Sequence, residues 1–499
     1  MDRATNSPAS PNVAAVEETG FGTAIVPIIV LCFGGMMAAL SQTLVIPIQP
    51  ELPHLLNTSV GNASWVVTAT LLGAAVAMPV SGRLGDMYGK QRVLAVSAAL
   101  LVVGSLICAV SSILPIVIAG RVVQGFAMGF IPVGISLIRE ITPPRLTSTA
   151  IAAMSATLGV GGAIGLPLSA WIAQNFNWHG LFWFAAGAGL VVMIAVLTLL
   201  PHVHDENGGR LDLGGVIGLA IGLVSALVAI TKGNAWGWSD GKTLGLLIGG
   251  IVVLLLWGWY ELRVTDPLVD LRTTARPAVL LTNLAGLTVG FGMMAQALII
   301  PQLLEMPAAT GYGLGQSLLA AGLWMAPGGL MMLVFAPVSS RLINGIGAKY
   351  TLMIGATVLG TGYLAATLLM HAPWQLALAS LISSAGVGIG YAAMPTLIMS
   401  SVPMNEAGAA VGLNSLMRSV GTTTASAVMA ALLTRSTIPF GSAVVPTESA
   451  FRLCFVVGAV AAFATVAIVL FIPVVKAKAQ AGQESGEYSV ERDHANATA

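Results

Sequence analysis

Fourteen apolar runs of membrane-spanning length constrain this chain more than any other feature. They fall at roughly 22–49, 64–82, 93–112, 114–138, 147–172, 181–201, 213–231, 244–260, 278–301, 314–337, 350–370, 374–399, 407–433 and 451–474. A helix needs about 20 such residues to cross a bilayer. Of the 499 residues, 56% are hydrophobic and 8% charged, with mean hydropathy +0.89; a soluble domain carries about 25% charged residues. The 58 glycines suit helices packed in lipid, where small residues let backbones approach. The expected fold class is an all-α integral membrane protein with fourteen transmembrane helices. A cleaved signal peptide is not expected, because the first run is long, follows Glu17 and Glu18, and precedes thirteen more. Polar tails over 1–20 and 476–499 are expected to be disordered.

Charge gives orientation. With both termini in the cytoplasm, fifteen of the 21 basic residues fall inside and four, Lys232, Lys242, Arg435 and Arg452, outside. Arg121 and Arg418 remain within spans. That bias is the positive-inside pattern, and a miscount by one span would scramble it. A multi-pass protein of the cell (inner) membrane with both termini cytoplasmic is expected. Net charge +1 offers no basic patch for phosphates, so nucleic acid is not an expected partner. Cys32, Cys108 and Cys454 each lie in an apolar run, which argues against a disulfide framework.

An internal repeat follows. Pro79-Val80-Ser81-Gly82-Arg83-Leu84 with Gly89 recurs, offset by 258 residues, as Pro337-Val338-Ser339-Ser340-Arg341-Leu342 with Gly347. Both copies close a span at the cytoplasmic side and open a short loop. Two related halves of six spans, 21–201 and 277–475, with two inserted spans in 202–276, is the simplest account. Parallel halves around a midplane site are a transporter architecture.

Several motifs match a family. Gly82-Arg83-Leu84-Gly85-Asp86-Met87-Tyr88-Gly89-Lys90-Gln91-Arg92 resembles the loop signature of the major facilitator superfamily. Arg121-Val122-Val123-Gln124-Gly125 in span 4 resembles its buried-arginine motif. Gly159 to Pro167 in span 5, with Gly161, Gly165 and Pro167, resembles its antiporter signature, the proline one position late. Trp65-Val66-Val67-Thr68, Asn177 to Trp183, Asp266-Pro267-Leu268-Val269-Asp270-Leu271, Asn414 and Arg418 are similar to the fourteen-helix drug:proton antiporter branch. The resemblance implies a major facilitator fold and proton-coupled efflux of drugs or related compounds. It implies a gating loop of Gly82, Arg83, Asp86, Gly89, Lys90 and Arg92, with Asp86 docking where Asn405-Glu406 open span 13. It associates Arg121 with proton transfer. Each motif also has a plainer reading: topology for the loop, snorkelling for Arg121, and close packing for the span 5 glycines.

One departure matters. The branch has an acid in span 1, in a Leu-Asp-x-Thr-x-Val pattern; this chain reads Leu40-Ser41-Gln42-Thr43-Leu44-Val45. No Asp or Glu sits mid-span anywhere in the sequence. Glu51 and Glu305, at pseudo-equivalent outer ends of spans 1 and 9, are the substitute proton-coupling candidates beside Arg121. Two core arginines without an acid favour a neutral or anionic amphipathic substrate over a dication. The expected cavity set is Gln42, Gln124, Met293, Gln296, Trp324, Asn414 and Arg418, with Met36, Met37, Gln49, Met294, Gln302, Met325 and Tyr391 beside them. Flexible methionine suits promiscuous apolar ligands.

Other signals carry less. Gly241-Lys242-Thr243 lacks the first glycine of a phosphate loop, because Trp236 stands there. His202 and His204 lack further metal ligands. No metal, cofactor or catalytic residue is expected, and the chain is read as a transporter, not an enzyme. The expected partners are a small-molecule substrate, protons and the lipid bilayer, and the expected state is a monomer. Uncoupled or anion-coupled export of an endogenous lipid or metabolite is the alternative, and a membrane sensor or enzyme on the same scaffold stands behind it.

Overall fold

The computed structural model describes residues 21–49, 51–202, 211–440 and 443–473. Both expected tails lie outside the described residues, as do Arg210 and His204. In hydrocarbon a peptide group finds no water, so a span must satisfy its own backbone, and a helix does so within the segment. Among the described residues fourteen helical spans result: 1 (Ile25–Thr43), 2 (Gly61–Tyr88), 3 (Lys90–Ala109), 4 (Leu114–Ile141), 5 (Pro144–Asn175), 6 (His179–Leu199), 7 (Leu213–Trp236), 8 (Gly241–Glu261), 9 (Pro277–Glu305), 10 (Leu318–Ile346), 11 (Ala348–Leu368), 12 (Pro373–Met399), 13 (Met404–Arg435) and 14 (Glu448–Leu470).

The boundaries differ from the apolar runs for local reasons. Span 1 ends at Thr43 and residues 44–49 form turns; Pro47, in that stretch, has no N–H to give a continuing helix. Span 10 starts where the Ser317 hydroxyl accepts the Ala320 N–H at 3.2 Å, a side-chain cap. Spans 2 and 10 run on past their apolar stretches to Tyr88 and Ile346. The two motif copies are therefore helix and not loop, which corrects the expectation of an open loop. Each ends in one left-handed glycine, Gly89 at φ 93° and Gly347 at φ 91°, a conformation glycine adopts without steric cost. One residue thus turns span 2 into span 3. Lys232, expected in an outer loop, is helical in span 7 and buried. A two-stranded hairpin, β1 (Thr437–Phe440) and β2 (Ala443–Pro446), joins spans 13 and 14 and was not foreseen.

The packing repeats between halves. Spans 1·5, 2·4, 3·4, 3·6 and 1·6 pack in the first half, and 9·13, 10·12, 11·12, 11·14 and 9·14 in the second. The halves meet where span 2 crosses 13 and span 5 crosses 10, a pair that exchanges under the same correspondence. Span 7 lies in the groove of spans 2 and 13, and span 8 leans on span 7 with Leu255, Leu256 and Trp259 exposed. Large apolar side chains exposed along a span are what lipid requires.

Glycines set the close crossings. A Cβ on Gly386 would stand 2.4 Å from Leu359 N and 2.6 Å from Gly355 O, so spans 11 and 12 touch backbone to backbone. Gly386→Val is expected to force them apart at a cost of at least about 1–3 kcal/mol. Gly245, with nothing within 4 Å of a Cβ, is the control. Thermal unfolding in detergent should fall clearly for Gly386→Val and stay level for Gly245→Val; equal midpoints would refute the packing assignment.

Candidate functional site

Three polar arrangements are held by the spans. The first joins the halves. The Asp86 carboxylate, 2% exposed at the end of span 2, accepts the backbone N–H of Gly408 at 3.2 Å and of Ala409 at 2.9 Å. These are first-turn residues of the span 13 helix, whose N–H groups have no partner within the helix and whose dipole favours an anion. The approach depends on missing side chains. A Cβ on Gly82 would meet Gly408 O at 2.2 Å, and one on Gly412 would meet Met78 O at 2.5 Å. Gly408 and Gly412 are thus the small-residue seam of this crossing. Lys90 lies 3.6 Å from Asp86 and also pairs with Glu140 of span 4. Arg83 faces a polar cavity of about 210 Å³ shared with Asp266, Asp270 and Glu406. Arg92 is exposed.

Outside the spans, the Asp270 carboxylate in that cavity is pulled two ways. Burial pushes its pKa up, while the N–H groups of Thr273 and Arg272 and the Thr273 hydroxyl pull it down, and the net direction is below the usual carboxylate range.

At the same end, the second copy of the motif makes a weaker contact. Ser340 on span 10 meets the hydroxyls of Ser148 at 3.1 Å and Thr149 at 2.7 Å on span 5. Deeper in, Gly329 and Gly159 bring spans 10 and 5 together, where a Cβ on Gly329 would meet Ala163 Cβ at 2.1 Å. Gly161 and Gly165 do not face the other half. They pack on span 1, against Met36 O at 2.8 Å and Thr43 Oγ1 at 2.0 Å from a Cβ. Pro167 lies inside the same helix.

The second arrangement is centred on Arg121, fully buried in span 4. Its Nε donates to Val66 O at 3.0 Å and its Nη1 to Ser41 O at 3.1 Å and Gln124 Oε1 at 2.7 Å. Gln124 donates onward to Ser105 at 2.7 Å. One guanidinium therefore ties spans 1, 2 and 4 together and, through Gln124, span 3. It reaches the main chain of Ser41, the residue that stands where the branch has an acid. Nη2 has no partner. Glu51 and Glu305 are exposed, and among the described residues neither bonds Arg121.

The third arrangement is in the second half. Arg418, 5% exposed on span 13, donates to Asn414 Oδ1 at 2.7 Å and Ser415 Oγ at 2.8 Å, and stacks over Tyr391 of span 12 at 4.5 Å. Asn414 donates to Asn283 Oδ1 at 3.1 Å and Thr282 O at 3.3 Å on span 9. Gln296 is buried and bonds Ser380 at 2.8 Å. Of the expected cavity set, Gln124, Gln296 and Asn414 are thus engaged inside their own half. Gln42 and Met293 are half-buried, and Trp324 is 37% exposed. Both core arginines are held by neutral oxygens, and among the described residues neither forms an ion pair. Polar groups that sequence reading did not single out include Ser105 and Asn283, which are polar residues within apolar stretches, and Asp212 and Glu261, which flank the inserted spans.

Comparison with known proteins places these features. The model of the Major Facilitator Superfamily matches residues 31–425 and again 282–494. An uncharacterized MFS-type transporter of Mycobacterium tuberculosis is 27% identical over 411 residues, 81% of this chain and 58% of its own length. The chain therefore spans less than two thirds of that relative. The tetracenomycin C resistance and export protein of Streptomyces glaucescens is 26% identical over 422 residues, 81% of this chain and 75% of its own. The probable multidrug resistance protein EmrY of Escherichia coli is 28% identical over 328 residues, 64% of this chain and 62% of its own. Among solved structures, the human organic anion transporter MFSD10 has a TM-score of 0.63 at 14% identity, over 89% of this chain and 99% of that one; that likeness concerns the fold. With a family match through both halves, and with the paired packing of spans that the two halves repeat, this chain belongs to the major facilitator superfamily.

Proposed function

We propose that this transporter exports small amphipathic compounds, drugs or related metabolites, by alternating access in antiport with protons. It does so as a monomer in the cell membrane, with both termini and the Asp86 end in the cytoplasm. The observation that carries the reading is the Asp86 carboxylate capping span 13 across the halves. It is a contact of two hydrogen bonds and one helix dipole that a small rotation of the halves would break and remake. With it made, the cytoplasmic ends of spans 2 and 13 are closed against each other. The drug-resistance and export names of the relatives support the substrate class, and the basic residues near the Asp86 end support the orientation. Arg121 positions spans 1, 2 and 4 around the place where the branch has its acid.

A second reading has its own support. Ser41 replaces that acid, and Arg121 and Arg418 have only neutral partners. Uncoupled or anion-coupled export of an endogenous lipid or metabolite fits those facts.

Dye and drug transport in proteoliposomes, with and without an inward-acidic gradient, separates the two readings. Antiport predicts transport that rises with the gradient and falls in Arg121→Gln, which cannot supply the fork that Val66, Ser41 and Gln124 share. Transport indifferent to the gradient would leave export standing and remove the proton.

Asp86→Asn tests the latch. Losing a charged acceptor at a helix N-terminus costs about 1–2 kcal/mol, which shifts the balance of open and closed cytoplasmic ends by roughly 5–30-fold. Spin labels at the exposed Tyr88 and Met404 should then show a longer separation. An unchanged distance distribution would mean that the contact does not hold the gate.

A further inference from the structure

We infer that Asp212 and Glu261, at the base of the inserted spans, form a pair that binds one proton and passes its charge state to the cytoplasmic gate. Asp212 caps span 7: its Oδ1 accepts the Gly215 N–H at 2.9 Å and the Tyr260 hydroxyl at 2.9 Å, and its Oδ2 has no partner among the described residues. Glu261 ends span 8 and is 2% exposed; its Oε2 accepts the Val269 N–H at 3.4 Å and its Oε1 has no partner among the described residues. The two bare oxygens converge. A Cβ on Gly215 would stand 2.3 Å from Glu261 Oε1 and 2.5 Å from Asp212 Oδ2.

Two ionised carboxylates whose buried oxygens meet at one point destabilise each other. Their settings differ. Asp212 lies at a helix N-terminus, where the dipole favours the anion, and Glu261 at a helix C-terminus, where it does not. A proton on Glu261 Oε1, donated to Asp212 Oδ2, replaces repulsion with a charge-assisted hydrogen bond. Among the described residues, the surrounding charges do not substitute for it. Arg263 stacks over Trp259 at 3.9 Å, and Arg272 donates to Leu262 O at 3.2 Å. Asp270 is held by Thr273 at 3.0 Å. From the neighbouring elements, Arg83 of span 2, Asp266 and Glu406 of span 13 line the adjoining cavity. The Trp257 indole N–H, one turn earlier on span 8, also faces the Glu261 carboxylate. Arg210 lies outside the described residues.

The link to the gate is short. Glu261 holds Val269, and Val269 and Asp270 line the same cavity as Arg83, Glu406 and Ala409, the last of which donates to Asp86. When the proton leaves through half-buried Asp212 to solvent, two anions remain and Glu261 is driven from its partner. The 265–270 segment then shifts against the end of span 2. That the proton serves antiport rests on the export reading above; that the pair holds it does not.

Infrared spectra of the full chain in lipid nanodiscs, titrated from about pH 5 to pH 9 around the range of a buried carboxyl, test this. A protonated-carboxyl stretching band should be present at the acid end, fade toward the alkaline end, and be lost in Glu261→Gln. In Asp212→Asn, which replaces the charged acceptor, the band should remain but change frequency and midpoint. A set of bands unchanged by both variants would overturn the inference, and so would displacement of the band by added sodium chloride, which would make the pair a metal-cation site. Should Glu261→Gln fail to fold, the Asp212→Asn shift alone decides. Gradient-independent transport together with a Glu261-dependent band would remove the coupling and leave the proton site intact.

Discussion

Every feature of this protein depends on the cost of an unpaired peptide group in hydrocarbon. That cost makes each span a helix, and the same hydrocarbon removes the hydrophobic drive between helices, since lipid is as apolar as leucine. What remains to hold the spans together is close contact and buried polar bonding. Gly355, Gly386 and Gly390 serve spans 11 and 12, and Gly82, Gly408 and Gly412 serve the crossing between halves. The two uses differ in consequence. Within a half, glycine seams join spans that repeat the same pairing; between halves, the seam lies beside a carboxylate whose bonds are made to backbone N–H groups. Bonds of that kind can be released to water at the membrane face, whereas interdigitated side chains cannot be undone as cheaply.

Charge is distributed by the same rule. A buried ion costs several kcal/mol unless geometry and hydrogen bonds compensate. Arg121 and Arg418 are compensated by carbonyl, amide and hydroxyl oxygens, and Arg418 also by the Tyr391 face. Acids are kept to the span ends. Asp86 is satisfied there by a helix terminus, while Asp212 and Glu261 each retain a bare oxygen. The excess of positive charge in the core and the unsatisfied acid at the rim are therefore separate features, one facing the substrate question and the other the proton question.

Much of this was legible in the chain. The apolar runs, the 258-residue repeat and the Lys/Arg bias located all the spans and both halves, because each rests on a property that neighbours along the chain share. The repeat even marked two equivalent turns, Gly89 and Gly347, whose φ values agree within a few degrees. Helix ends were less legible. Nothing in the apolarity of 82–88 or 338–346 shows that a polar stretch continues as helix, because outside the core the helix is held by packing and caps.

The sequence by itself determined the fold class, the number of spans and the presence of two buried arginines, since hydropathy and charge are properties of consecutive residues. Tertiary structure alone decided what those residues touch. It put Gln124, Gln296 and Asn414 into bonds within their own half, left Glu51 and Glu305 exposed without a bond to Arg121, and brought Asp212 and Glu261, 49 positions apart in the chain, onto one point beside Gly215. Partner choice depends on which helix faces which and on where a missing Cβ lets two backbones meet, and neither is a local property of the chain.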